Sequence, residues 1–347
     1  MSRADSATLQ YPRPKRIRLA RMRALRASAS SRVLVALVAI VVLLSLAACA
    51  PPGSRSEKVT PSTQPLNPRV KTYPRIVVVE NLEYGSTTGA RLDVCLPRDS
   101  SVAVTSRAAI ISIHGGSWRA GDKSNIYWRS ICQWIASQGF VAFSVDYGLA
   151  PQHPFPAGFD DVRAAVRYVR STAVVAKYHI DPKRIGAFGG SAGGNLAALL
   201  GVAGTGSLSS GSRVAAVAEL SGPTNLTGDG SELADFRPLE LSYLGCASFE
   251  ACPQAVRASP LFQVDDSDPP FFIGHSLDER IPLSQSTDFV RVLREHGIDT
   301  TFVTVKGDLH SIAMLSDDMR SRIATFFHAK LDAPAGSNAK RDGPIGG

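Results

Sequence analysis

Apolar residues in this chain recur with two different spacings. Short β-rich runs occur at Arg75–Glu80, Arg91–Cys95, Ala108–His114, Val141–Asp146, Arg184–Gly189, Val214–Ser221, Pro270–His275 and Thr300–Lys306. Between them lie stretches with a helical period. In Ala157–Val169, the residues Phe159, Val162, Val166 and Val169 fall three or four apart, which puts them on one helix face. Ile126–Ser137, Ala192–Val202, Gln285–Glu295 and Ser311–Leu331 also read as helices. Near-continuous apolar strands alternating with amphipathic helices predict a mostly parallel sheet covered on both faces. Such sheets hold their sites beyond the C-terminal ends of the strands.

The segments outside this alternation have a different character. Residues 1–32 carry nine basic side chains and one acid, Asp5. The whole chain has 38 basic and 30 acidic residues, so the remainder holds 29 of each and is neutral. The formal charge of +8 therefore belongs to the leader. No basic field remains over the folded part, which argues against a nucleic-acid partner.

Val33–Ala48 is apolar apart from Ser45, and Leu46-Ala47-Ala48-Cys49 follows the pattern aliphatic, small, small, cysteine. A basic stretch, an apolar stretch and small residues before a cut site predict an export signal. The last four residues resemble a bacterial lipobox. That resemblance implies lipidation of Cys49 and anchoring to the outer face of the cytoplasmic membrane, since two acyl chains suffice for stable attachment. Secretion, or an uncleaved single N-terminal anchor, is the alternative. Initiation at Met22 would leave Arg23, Arg26 and Arg32 as the basic segment. Residues 50–73, rich in Pro, Ser and Arg, read as a flexible tether, and 333–347 as a disordered tail. Four cysteines remain after Cys49, an even number that suits an oxidising compartment. Cys246 and Cys252 are close enough to bridge locally. Cys95 and Cys132 lie in apolar elements and are open to a second reading as buried small residues.

Chemistry concentrates at the predicted strand ends. Gly189-Gly190-Ser191-Ala192-Gly193 matches G-x-S-x-G between a strand and a helix, where a serine sits exposed on a sharp turn. Its neighbours two positions away must be small for steric reasons. His114-Gly115-Gly116-Ser117-Trp118 follows an earlier strand. The backbone amides of Gly115, Gly116 and Ser117, with that of Ala192, are the expected donors to a tetrahedral oxyanion, Gly116 and Ser117 foremost. Asp278 follows the Pro270–His275 strand and His310 follows Thr300–Lys306. They are the expected acid and base, with Glu279 able to replace Asp278. Asp265, Asp266 and Asp268 precede their strand, and Asp308 is too local to His310. Trp118, Tyr147 and Phe155 are candidates for a substrate pocket or for the core. No Cys, His and Asp cluster has metal-ligand spacing, so no metal is expected.

Together, His114 to Trp118, Asp146-Tyr147-Gly148-Leu149-Ala150-Pro151, Gly189 to Gly194, Asp278 to Pro282 and His310 resemble α/β-hydrolase carboxylesterases. The feruloyl-esterase-like (BD-FAE) and hormone-sensitive-lipase-like groups are the most similar. The resemblance covers roughly residues 75–331. It implies an eight-stranded, mostly parallel sheet, a Ser-His-Asp triad, no cofactor and a small-molecule ester substrate. Ser117, Gly190, Gly148 and Gln152 depart from the lipase-like pattern, which leaves the subfamily open. Residues 222–257 intervene between two strands and are expected to form a small cap, consistent with short or medium acyl groups. An amidase, formamidase or peptidase on the same residues, or a silent binding protein on this scaffold, are the competing functions. The last of these typically loses a triad member, whereas all three residue types are present here.

Overall fold

A computed structural model describes residues 70–97, 106–229 and 235–332. Cys49, the leader, the tether up to residue 69 and the tail from 333 lie outside the described residues. Tether residue Lys71 is already tied to the domain. Its carbonyl accepts from Ser130 Oγ at 2.7 Å, and its ammonium pairs with Asp317.

Eight strands form one sheet: β1 (Val77–Glu83), β2 (Arg91–Leu96), β3 (Arg107–Ile113), β4 (Val141–Val145), β5 (Ile180–Gly190), β6 (Ala216–Leu220), β7 (Phe271–Ser276) and β8 (Thr300–Val305). The spatial order is β1-β2-β4-β3-β5-β6-β7-β8. β1 and β2 pair antiparallel, as do β2 and β4, and every later pairing is parallel. The helices are α1 (Ile126–Ser137), α2 (Ala157–Val169), α3 (Thr172–Tyr178), α4 (Ala192–Val202), α5 (Arg237–Leu244), α6 (Pro253–Arg257), α7 (Leu283–Glu295) and α8 (Asp317–Leu331).

The strand period of two divides the core into two clusters, because successive side chains point to opposite faces. Ala109, Ile111 and Ile113 of β3 join Val141, Phe143 and Val145 of β4 under α2 and α4. Ala108 and Ile110 of β3 and Ala142 of β4 face the other way, among α1 and α8. Both faces are therefore dry, and the central strands read as unbroken apolar runs for that reason.

Two disulfides are present among the described residues. Cys246–Cys252 closes the loop between α5 and α6. Cys95–Cys132 joins β2 to α1, so these two cysteines are bonded rather than simply buried. The 222–257 stretch, apart from residues 230–234, carries α5 and α6 and this local bridge. Among the described residues no helix is long and apolar enough to cross a membrane.

Candidate active site

β5 delivers Ser191. The serine stands at the N-terminus of α4 with φ 57° and ψ −127°, a backbone shape costly for any residue with a Cβ. The turn closes because its flanks are glycine. A Cβ on Gly189 would lie 2.1 Å from the Gly193 carbonyl oxygen, and one on Gly193 would lie 2.1 Å from that of Ile113. Ser191 N–H donates to the Leu220 carbonyl at 2.8 Å, which pins the turn to β6. Ala192 is the first residue of α4, so its N–H has no acceptor within the helix and points, with the helix dipole, at the site.

The loop after β3 runs beside this turn. A Cβ on Gly115 would sit 3.2 Å from Ser191 Cβ. Gly115, Gly116 and Ser117 line a cavity of about 240 Å³ together with Ser191 and His310. Ser117 holds a positive φ of 53°, and the Gly116 carbonyl is engaged by the amides of Arg119 and Ala120, both at 3.1 Å. The loop is thus fixed by its own backbone bonds, with Gly115, Gly116 and Ser117 turned to the cavity.

His310 follows β8, and its Nε2 accepts from Ser191 Oγ at 2.9 Å. Its Nδ1 donates to Glu279, not to the expected Asp278. Asp278 is exposed, while the Glu279 carboxylate is fully buried beside the imidazole. The Asp278 backbone N–H, in turn, donates to the Gly307 carbonyl at 3.0 Å. The longer glutamate side chain spans the remaining distance to the imidazole.

Glu279 is held from several sides. Ser221 Oγ donates to its Oε1, and the Ser276 N–H does so at 3.3 Å. Ser221 Oγ also accepts from the N–H of Ser311, at 3.0 Å, coupling the acid to the residue after the histidine. His275 Nε2 lies 3.3 Å from Oε1 and donates to the Ile281 carbonyl at 2.9 Å. A carbonyl can only accept, so that nitrogen carries a proton, and Ser286 Oγ donates to Nδ1 at 2.7 Å. Burial lowers the His275 pKa below the usual histidine value. A neutral His275 therefore orders the loop without competing for the Glu279 charge.

A second buried carboxyl, Glu219 on β6, lies behind the turn. Its Oε2 accepts from Gly222 N–H at 2.7 Å, while Oε1 has no partner among the described residues. Burial pushes its pKa up to about 8 against the lowering effect of the Gly222 bond, and the nearby Glu279 charge adds to the rise.

Trp118 and Tyr147 do not line the cavity. Both are buried: Trp118 stacks on Tyr243 at 4.4 Å and donates to Asn195 Oδ1 at 3.3 Å. Tyr147 stacks on His114 at 4.4 Å and donates to its carbonyl at 2.9 Å. Phe155 is likewise core. The side walls come instead from Trp128 of α1, Phe236, Arg280, Ser311 and Ile312. No local motif marks these residues. Only Arg280, next to Glu279, and Ser311, next to His310, had a sequence signal that could have found them.

An eight-stranded sheet of this order, with a serine at the turn after β5, a carboxylate after β7 and a histidine after β8, defines the α/β-hydrolase fold. The BD-FAE family model matches residues 92–293, and the chain belongs to that family. The matched stretch contains Ser191 and Glu279 and ends before His310. Among solved structures, the chain is similar to a truncated carbohydrate esterase from gut microbiota, with a TM-score of 0.65 and 28% identity over 76% of this chain and 99% of that one. It shares its fold with a thermophilic esterase from Thermogutta terrifontis, at a TM-score of 0.59 and 24% identity, covering 78% and 98% of the two chains. Mouse arylacetamide deacetylase is 41% identical over 106 residues, which is 30% of this chain and 26% of that protein. Mouse neutral cholesterol ester hydrolase 1 is 42% identical over 96 residues, or 27% and 24%. The chain thus spans about a quarter of the length of these curated relatives.

Proposed function

We propose that this chain is a serine hydrolase of carboxylic esters that works through an acyl-enzyme. The observation that carries the reading is the unbroken line Ser191 Oγ, His310 Nε2, His310 Nδ1, Glu279 Oε2. His310 takes the Ser191 proton as Oγ attacks the acyl carbon. The backbone amides of Gly116, Ser117 and Ala192 receive the oxyanion. Glu279 keeps the imidazole in the Nδ1–H tautomer and stabilises the imidazolium. His310 then returns the proton to the leaving alcohol, and water repeats the sequence to release the acid.

Labelling with a fluorophosphonate probe tests the reading. Wild type takes up the probe and Ser191→Ala does not; equal labelling of the two would overturn it. A cavity of about 240 Å³ is smaller than the roughly 300–1,000 Å³ of pockets that take drug-sized ligands, which supports short or medium acyl groups. Among p-nitrophenyl esters, butyrate is therefore expected to be hydrolysed faster than palmitate. Similarity to arylacetamide deacetylase makes aryl amides the second substrate class to assay.

We also propose export as a lipoprotein lipidated at Cys49. The basic and apolar leader and the Leu46 to Cys49 pattern support it, as do two disulfides in the folded domain, since such bonds persist in oxidising compartments. Resistance of the protein to radiolabelled palmitate incorporation in its host would refute it.

A further inference from the structure

Among the described residues lining the Ser191 cavity, Arg280 is the one permanently charged side chain. The other walls are backbone amides, the aromatic rings of Trp128 and Phe236, small hydroxyls and Ile312. The adjacent Glu279 charge is turned away from the cavity, fully buried and committed to His310 and Ser221. Asp278, two residues before Arg280, is exposed and does not border the cavity. Arg280 itself is exposed, and among the described residues its guanidinium has neither a carboxylate nor a carbonyl partner. By contrast Arg129, Arg184 and Arg213 spend their donors on Asp93, Asp181 and Asp268.

The backbone that presents Arg280 is fixed on both sides. Leu277 and Asp278 donate to the carbonyls of Val305 and Gly307 at 2.8 and 3.0 Å, and the Ile281 carbonyl accepts from His275 at 2.9 Å. With the loop backbone already fixed, only the rotamers of the Arg280 side chain remain to be ordered when it meets a ligand. The fork geometry of a guanidinium matches a carboxylate, with two parallel bonds, better than it matches a neutral ester or a hydroxyl.

We propose that Arg280 is a specificity-determining residue that binds a carboxylate on the substrate, so that the chain hydrolyses esters bearing a free carboxylate in preference to their neutral counterparts. The proposal rests on the ester-hydrolase reading above. Its test uses two pairs of esters. 4-Acetoxybenzoate and its methyl ester differ by a charge on the alcohol half; monoethyl and diethyl succinate differ by a charge on the acyl half. For each pair, kcat/KM is measured for wild type, Arg280→Gln, Arg280→Lys and Arg280→Glu, with thermal melts to verify folding.

In at least one pair the charged-to-neutral ratio is expected to fall about 5-fold or more in Arg280→Gln, the size of one charge-assisted contact at a partly exposed site. Arg280→Lys keeps part of the ratio, because it retains charge without the fork, and Arg280→Glu falls below Arg280→Gln. The responding pair tells which half of the ester carries the anion. Hydrolysis with the same ratios in wild type and Arg280→Gln, in both pairs, overturns this proposal alone. Failure of wild type to hydrolyse any of the four esters removes the ester-hydrolase reading and this proposal with it.

Discussion

Two adjacent carboxylates, Asp278 and Glu279, offer a sharp test of the site. Changing Glu279 to Gln removes the charge next to His310 while keeping the side chain's size. A unit pair about 3 Å apart, at an effective dielectric constant of about 20, interacts by about 5.5 kcal/mol. That is about a 10⁴-fold change in rate, the same order as the loss when the carboxylate of a Ser-His-Asp triad becomes its amide. Glu279 is fully buried and has little water to screen it, so most of this interaction is expected to reach the transition state. Asp278 is exposed and makes no side-chain bond to His310, so Asp278→Asn should leave kcat within about 2-fold. The assay is kcat and KM on p-nitrophenyl acetate for wild type and both variants, with melting curves to separate misfolding from lost chemistry. An Asp278→Asn variant as impaired as Glu279→Gln, or a Glu279→Gln variant keeping more than a tenth of wild-type kcat, would refute the assignment of the acid.

Two further outcomes concern stability. Glu219 has a folded pKa raised to about 8 by burial, so between the ordinary carboxylate range and pH 8 the native state binds more protons than the unfolded chain. Its contribution is full at acid pH and is lost as pH rises through about 8, with a slope of up to about 1.4 kcal/mol per pH unit. Urea unfolding from pH 5 to 9 should show this decline in wild type and a flatter curve in Glu219→Gln; parallel curves would contradict it. The disulfides differ in the loop they close. Cys95–Cys132 spans 37 residues and Cys246–Cys252 spans six, so loop-closure entropy assigns them about 4 and about 2 kcal/mol. Urea midpoints of the paired Cys→Ala variants should fall in that order.

Apolar runs and one helical period located most of the elements that pack as regular layers. Ile126–Ser137, Ala157–Val169 and Ala192–Val202 are helices over those residues, and all eight strands form near their expected places. Ala157–Val169 is legible because one buried face imposes a period of 3.6, whereas the central strands and Ala192–Val202 are buried all round and show as near-continuous apolar runs. Thr172–Tyr178, Arg237–Leu244 and Pro253–Arg257 are too short to show a period, and only packing makes them helical. Ser191 and His310 were legible for a related reason: glycines and strand ends surround them, and both follow from local backbone geometry.

The acid and the cavity walls were not legible. Asp278 and Glu279 stand side by side on one loop, and either could follow β7. Which one turns inward depends on Ser221, whose hydroxyl donates to Glu279, and on Gly307, whose carbonyl accepts from the Asp278 N–H; both are distant in sequence. Trp118 and Tyr147 carried aromatic chemistry next to motifs, yet stacking against Tyr243 and His114 draws them into the core. Trp128, Phe236 and Arg280 border Ser191 because α1, the start of α5 and a strand-end loop converge there. The sequence determines local shape and its period by itself. The choice of which side chains face one another across the sheet top belongs to tertiary packing, since those distances are set by elements that no short window of sequence contains.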